Sequence, residues 1–139
     1  MGLWNVDGWG KRATRLAEQV IAAINARDFA ALPELVTPDV RFIDSMCESV
    51  VGREQALVML ERLVAYDPAL QIHTETVTVH GDSVLVTGRV SGSRDMVSRR
   101  TLWKLSVRGG LLAEWRSFSA DNPRPIIRML MGSGVATAA

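Results

Sequence analysis

The chain has 139 residues, 47% of them hydrophobic and 22% charged, a composition that fits one folded domain with one core and excludes a disordered chain. Sixteen Lys and Arg against fifteen Asp and Glu leave a formal charge of +1, so electrostatics provide no reason to expect nucleic acid or an anionic membrane as partner. The single cysteine, Cys47, excludes an internal disulfide and a thiolate metal cluster, and no apolar run is long enough to span a bilayer.

The N-terminal stretch, with Trp4 and Trp9, has no basic segment leading into an apolar run, so no signal peptide is expected and a cytoplasmic protein is the default. From Lys11 to Ala26, Leu16, Ala17, Val20, Ile21 and Ile24 recur at helical spacing, opposite Arg15, Glu18 and Gln19. Ala26-Arg27-Asp28 breaks that helix. Asp28 is an N-cap for a second short element through Leu35, which Pro33 makes irregular because proline cannot donate to the preceding turn. After the turn Thr37-Pro38-Asp39, the stretch Val40 to Asp44 alternates as a strand. Gly52 opens a third helix, with Ala56, Leu57, Leu60, Leu63 and Val64 on one face, and Tyr66-Asp67-Pro68 ends it.

Four strand-like segments follow, Leu70 to Val79, Ser83 to Ser91, Ser98 to Val107 and Leu111 to Phe118, rich in Val, Thr and Trp. The breaks at His80-Gly81-Asp82 and Arg108-Gly109-Gly110 are turns, and sequential antiparallel hairpins join such strands most economically. The whole of 1–139 reads as one domain, with 1–10 and the Pro- and Gly-containing tail 124–139 loosely attached. Helices followed by a meander predict an α+β fold with the helices on one sheet face.

Three phrases carry a resemblance. They are Ile24 to Leu32, then Asp39 to Asp44 followed by Gly52-Arg53-Glu54-Gln55-Ala56, and last Gly109 to Phe118. In this order they resemble the nuclear transport factor 2-like superfamily, in its SnoaL-like and ketosteroid-isomerase-like branch. The resemblance implies a cone-shaped, cystatin-like α+β roll. Three N-terminal helices would pack on a curved, mainly antiparallel sheet enclosing a pocket, commonly in a homodimer. Members include isomerases, cyclases, epoxide hydrolases and proteins that only bind or assemble, so the fold does not choose a function.

By this resemblance Asp44 stands where ketosteroid-isomerase-like enzymes place a catalytic carboxylate. An apolar setting with Phe42 and Met46 would disfavour its charged form and suit a general base. The alternative is an Asp44 paired with an arginine, and Arg89 or Arg99 is the expected partner. The enolate donors of that branch would fall on Val20 and near Thr101; valine cannot donate and threonine is a weak substitute, which speaks against a steroid isomerase. Of the epoxide hydrolase relay, Arg89 is retained, but Ser91 and Ser117 occupy the two carboxylate positions. Asp121 lies near the position where SnoaL-type cyclases often place an acidic residue, but before Asn122-Pro123 an Asp is more often a turn former. Trp103 and Trp115 could pave one sheet face, as pocket wall or as plain core, with core packing the safer reading.

The expected ligand set is therefore Phe42, Met46, Arg89, Arg99, Thr101, Trp103, Trp115 and Ser117, around Asp44 as the candidate catalytic residue. His73 and His80 lack a third ligand for a metal, and Cys47, expected buried or half-buried, lacks a catalytic partner. No nucleotide, phosphate or cofactor motif is present. The expected function is binding of a small apolar organic molecule, with cofactor-independent acid–base chemistry at Asp44 as an extension. A non-catalytic dimeric binding or assembly module is the alternative.

Overall fold

The computed structural model of the chain describes residues 2–93, 97–121, 123–132 and 136–137, with side chains for 8–93, 97, 98, 100–121 and 123–132. Helix α1 spans Gly2–Ala26, β1 Val36–Ile43, β2 Glu48–Val51, α2 Arg53–Tyr66, β3 Gln71–His80 and β4 Ser83–Ser91. Then come β5 Ser98–Arg108, β6 Leu111–Ser119, α3 Ile126–Met131 and a two-residue strand β7, Ala136–Thr137. The strands form one curved sheet in the order β3-β4-β5-β6-β1-β2-β7. Only β1 and β6 run parallel among the pairs described, and every other neighbour is antiparallel.

The apolar period of α1 is what docks it. Ala13, Leu16, Ala17, Val20, Ile21 and Ile24 are all buried, so one stripe of the helix lies against the sheet. The helix ends in a left-handed residue, Arg27, at φ 59°. There Asp28 N–H donates to Ala23 C=O at 2.8 Å and Arg27 N–H to Ile24 C=O at 3.1 Å, a Schellman closure. A non-glycine residue is held in this conformation by its own side chain. The Arg27 guanidinium donates to Pro68 C=O at 2.9 Å and Leu70 C=O at 2.7 Å, tying the end of α1 to the α2–β3 connection. Asn25 adds a two-way clasp, accepting from Ile72 N–H at 2.8 Å and donating to Ile72 C=O at 2.9 Å. These bonds satisfy main-chain groups at the start of β3, which is an edge strand among the described residues.

The structure departs from the sequence expectation or sharpens it in four places. The first helix reaches back to Gly2 rather than starting at Lys11. The second predicted helix is a 3-10 turn at Leu32–Leu35, the irregular element that Pro33 dictates. An additional strand, β2, pairs with β1 through a tight hairpin at 44–48. Finally, part of the supposedly loose tail is helix α3, which packs on α2 and β2. No helix among the described residues is long and apolar enough to cross a membrane.

One connection is fixed by a buried carboxylate. Asp67 is fully buried and accepts from Ser93 N–H, at 3.0 Å on its nearer oxygen, from Ser93 Oγ at 3.0 Å and from Ala69 N–H at 3.2 Å. Gly92 passes so close that a Cβ there would lie 2.2 Å from Asp67 Oδ2. The sequence shows Asp67 merely as a helix terminator; in the fold it clamps the end of α2 to the loop after β4.

Candidate functional site

A cavity of about 110 Å³ lies between the inner sheet face and the helices. The sheet supplies an aromatic wall, because β1, β6 and β5 are neighbours and their registers bring three rings together. Phe42 stacks on Trp115 with centroids 5.8 Å apart, and Trp103 tilts against Trp115 at 5.9 Å. Helix α1 contributes Ile24, α2 contributes Met59, Leu60 and Leu63, and α3 closes one side with Ile126 and Ile127. Asp44 and Ser117 are the polar side chains in this lining. Ser117 Oγ accepts from the Trp115 indole N–H at 3.2 Å, which fixes the orientation of that ring.

Asp44 sits at the end of β1, in the hairpin that leads to β2, and is 6% exposed. Its Oδ1 accepts from Met46 N–H at 2.9 Å and Glu48 N–H at 3.0 Å, so the side chain organises its own turn. Its Oδ2 accepts from Ile127 N–H at 3.0 Å, at the start of α3. Among the described residues, its partners are these three main-chain donors rather than the expected Arg89. A carboxylate has about four acceptor sites, so roughly one remains for anything in the cavity.

Next to it, Glu48 is also buried and accepts from Arg128 Nε at 2.7 Å, with Arg128 Nη2 closing a second ion-pair contact. The Glu48 carboxylate beside it, helped by the field of Asp44, holds the Arg128 guanidinium above its ordinary pKa. Arg62 Nη1 donates to Leu130 C=O at 3.0 Å, so α3 is tethered at both ends.

Of the residues named from the sequence, Phe42, Asp44, Trp103, Trp115 and Ser117 come together around the cavity. Met46 does not: it is 49% exposed, because the turn that Asp44 organises carries it outward. Arg89 is exposed, while its neighbour Val90 lines the cavity, since alternate residues of β4 face opposite ways. Thr101 is buried but lies outside the cavity lining, and its Oγ1 donates to Ser98 Oγ at 2.9 Å. Ser98 Oγ in turn donates to Asp121 Oδ1 at 2.8 Å. The side chain of Arg99 lies outside the described residues. His73 meets Ser91 Oγ at 2.7 Å, and no metal-binding cluster of His, Cys, Asp or Glu occurs among the described residues. Cys47 is exposed rather than buried, carried out by its left-handed φ of 63° in the same turn.

Sequence reasoning missed Glu48, Arg128 and the whole of α3. The apolar spacing Ile126, Ile127, Leu130 after Pro125 was the available signal, hidden by the prolines and glycines around it.

No curated protein matches the chain. Solved structures with the same fold include a SnoaL-like polyketide cyclase candidate from Jannaschia sp. CCS1, 24% identical, with a TM-score of 0.70 over 79% of this chain and 86% of that one. An LEH-like epoxide hydrolase of M. tuberculosis is 14% identical, with a TM-score of 0.69 over 88% and 91% of the two chains. A protein of unknown function with a cystatin-like fold from Xanthomonas campestris is 25% identical, with a TM-score of 0.69 over 78% and 90%. These likenesses establish the fold and leave the activity open. The SnoaL-like domain profile matches residues 17–115, which run from α1 through the aromatic wall, and the chain belongs to the SnoaL-like domain family.

Proposed function

We propose that the cavity binds a compact, largely apolar organic molecule bearing one hydrogen-bond donor, with Asp44 as its polar contact. The observation that carries this reading is the composition of the lining, in which one carboxylate and one hydroxyl interrupt an otherwise aliphatic and aromatic surface. The volume of about 110 Å³ is of the order of the roughly 150 Å³ apolar cavity that holds benzene. A single ring with a short substituent suits it; a multi-ring skeleton does not.

Binding is favoured over catalysis by the state of Asp44, whose acceptor sites are largely taken by three N–H groups. An isomerisation would also need donors for an enolate oxygen, and Ser117 is the one hydroxyl in the lining. If a bound molecule is turned over, the remaining site on Asp44 is where its proton would go, and the step needs no cofactor. A homodimer belongs to the same proposal. It would join through the outer sheet face, where Phe118 is 47% exposed in a groove that also carries Glu75 and Arg100. The isologous contact of a twofold dimer suits a surface that holds both signs of charge.

The test is a titration with benzyl alcohol followed by ¹⁵N-detected NMR. Saturable shifts at the Trp103 and Trp115 indoles and at the Ile127 amide are expected. Shifts absent from all three would refute the reading.

A further inference from the structure

Helix α3 has six residues, too few to be stable alone, so its conformation depends on what it docks against. It packs on α2 and β2, and two polar ties bind it to the β1–β2 hairpin: Asp44 Oδ2 to Ile127 N–H, and the Glu48–Arg128 ion pair. A third tie, from Arg62 to Leu130 C=O, is solvent-exposed. Pro125 precedes the helix, and Gly132 follows it with φ 74°, a left-handed position that favours glycine. The inner side of α3 supplies Ile126 and Ile127 to the cavity, and Ile127 is 2% exposed.

We propose that α3 is a lid that opens as a unit and sets the size of the ligand, with the Glu48–Arg128 pair as its latch. The size argument rests on the ligand-binding reading above; the opening does not. Closed, the lid holds the cavity near single-ring size. Open, it removes two isoleucines from the wall and leaves the aromatic wall in place on β1, β5 and β6. Asp44 touches both the lid and the ligand space, so occupancy and closure are coupled through one carboxylate.

The latch is tested with E48Q/R128Q, a double variant that removes the ion pair without leaving a buried lone charge. Hydrogen exchange is read at the amides of Ile127, Met129 and Gly132 and compared with that of the core strands β4 and β5. The variant should exchange at these lid amides about tenfold faster, the scale of one charge-assisted hydrogen bond, with the strands unchanged. Lid amides that exchange only together with the strands in both proteins overturn the lid.

The second readout is affinity for benzyl alcohol and for 2-naphthalenemethanol. The variant should bind the two-ring alcohol about tenfold more tightly than the parent, with benzyl alcohol nearly unchanged. If benzyl alcohol binds the parent and the two-ring alcohol gains nothing, the size filter is wrong. If benzyl alcohol does not bind the parent, the ligand-binding reading falls, and exchange alone decides the lid.

Discussion

Replacing Asp44 separates two roles that one carboxylate plays in the structure. In Asp44→Ala, three main-chain N–H groups lose a charged acceptor in a nearly buried site. Hydrogen bonds to a charged group contribute about 1.5–3 kcal/mol each; with water reaching the exposed Met46 turn, the sum comes to roughly 3–5 kcal/mol. Asp44→Asn is different. Its single carbonyl oxygen can keep the Met46 and Glu48 bonds, but its NH₂ then faces Ile127 N–H, donor against donor. The flipped amide would restore one bond and lose two, so the first orientation wins. The expected cost is about 1–3 kcal/mol, concentrated at α3.

Urea denaturation of the two variants checks this. For a domain of this size each kcal/mol also lowers Tm by roughly 2–4 °C. Asp44→Ala should be the less stable by about 2 kcal/mol, with equal m-values. Equal stability of the two variants, or no loss in either, would refute the assignment of these bonds. A loss of turnover in Asp44→Asn therefore cannot by itself identify a general base, because the same change disturbs the helix that closes the cavity.

Other positions give sharper local tests. Gly92→Ala places a methyl against the Asp67 carboxylate, which Ser93 and Ala69 hold in place; a loss of roughly 2–3 kcal/mol in chemical denaturation is expected, and parental stability would contradict the contact. Asn25→Asp keeps the acceptor for Ile72 N–H but sets an anion against Ile72 C=O, so it should destabilise at least as much as Asn25→Ala, about 1–3 kcal/mol by the same assay. Asp39 is held below its ordinary value of 3.8 chiefly by its hydrogen bond from Arg108. A depressed carboxylate pKa contributes stability above the unfolded value and loses it as pH falls through the folded one, so this contribution starts to fall near pH 3.8 and is gone only below the depressed value in the fold. Arg108→Gln should move the Asp39 titration up in an NMR pH series; an unmoved titration would show that Arg108 is not the cause. Phe118→Asp should shift the sedimentation mass toward the monomer if the outer face joins two copies.

The sheet was legible in the sequence because β3 to β6 are long and β-branched, with glycine turns between β3 and β4 and between β5 and β6, and their observed bounds differ from the expected ones by a residue or so. The aromatic wall was legible for the same reason, since alternation puts Trp103 and Trp115 on one face. Asp44 was legible through family resemblance, but its partners were not. Its three donors are main-chain groups, one of them 83 residues away, and a main-chain donor leaves no mark in residue identity. The arginines expected as partners follow from charge pairing and strand alternation; in the fold, strand phase sends Arg89 to the other face, and the side chain of Arg99 lies outside the described residues. Strand β2 has four residues and α3 six, too short for a periodic signal to stand out. Glu48 looks like any surface acid, because its burial and its ion pair with Arg128, 80 residues away, are visible only in the fold.

The central claim is that the cavity beside Asp44 is a ligand site. A crystal structure soaked with benzyl alcohol tests it most directly. The account predicts the ring between Trp103, Trp115 and Met59, with the hydroxyl donating to Asp44 at ordinary hydrogen-bond distance. An unoccupied cavity at a saturating soak, or the alcohol bound only on the outer face, would contradict it.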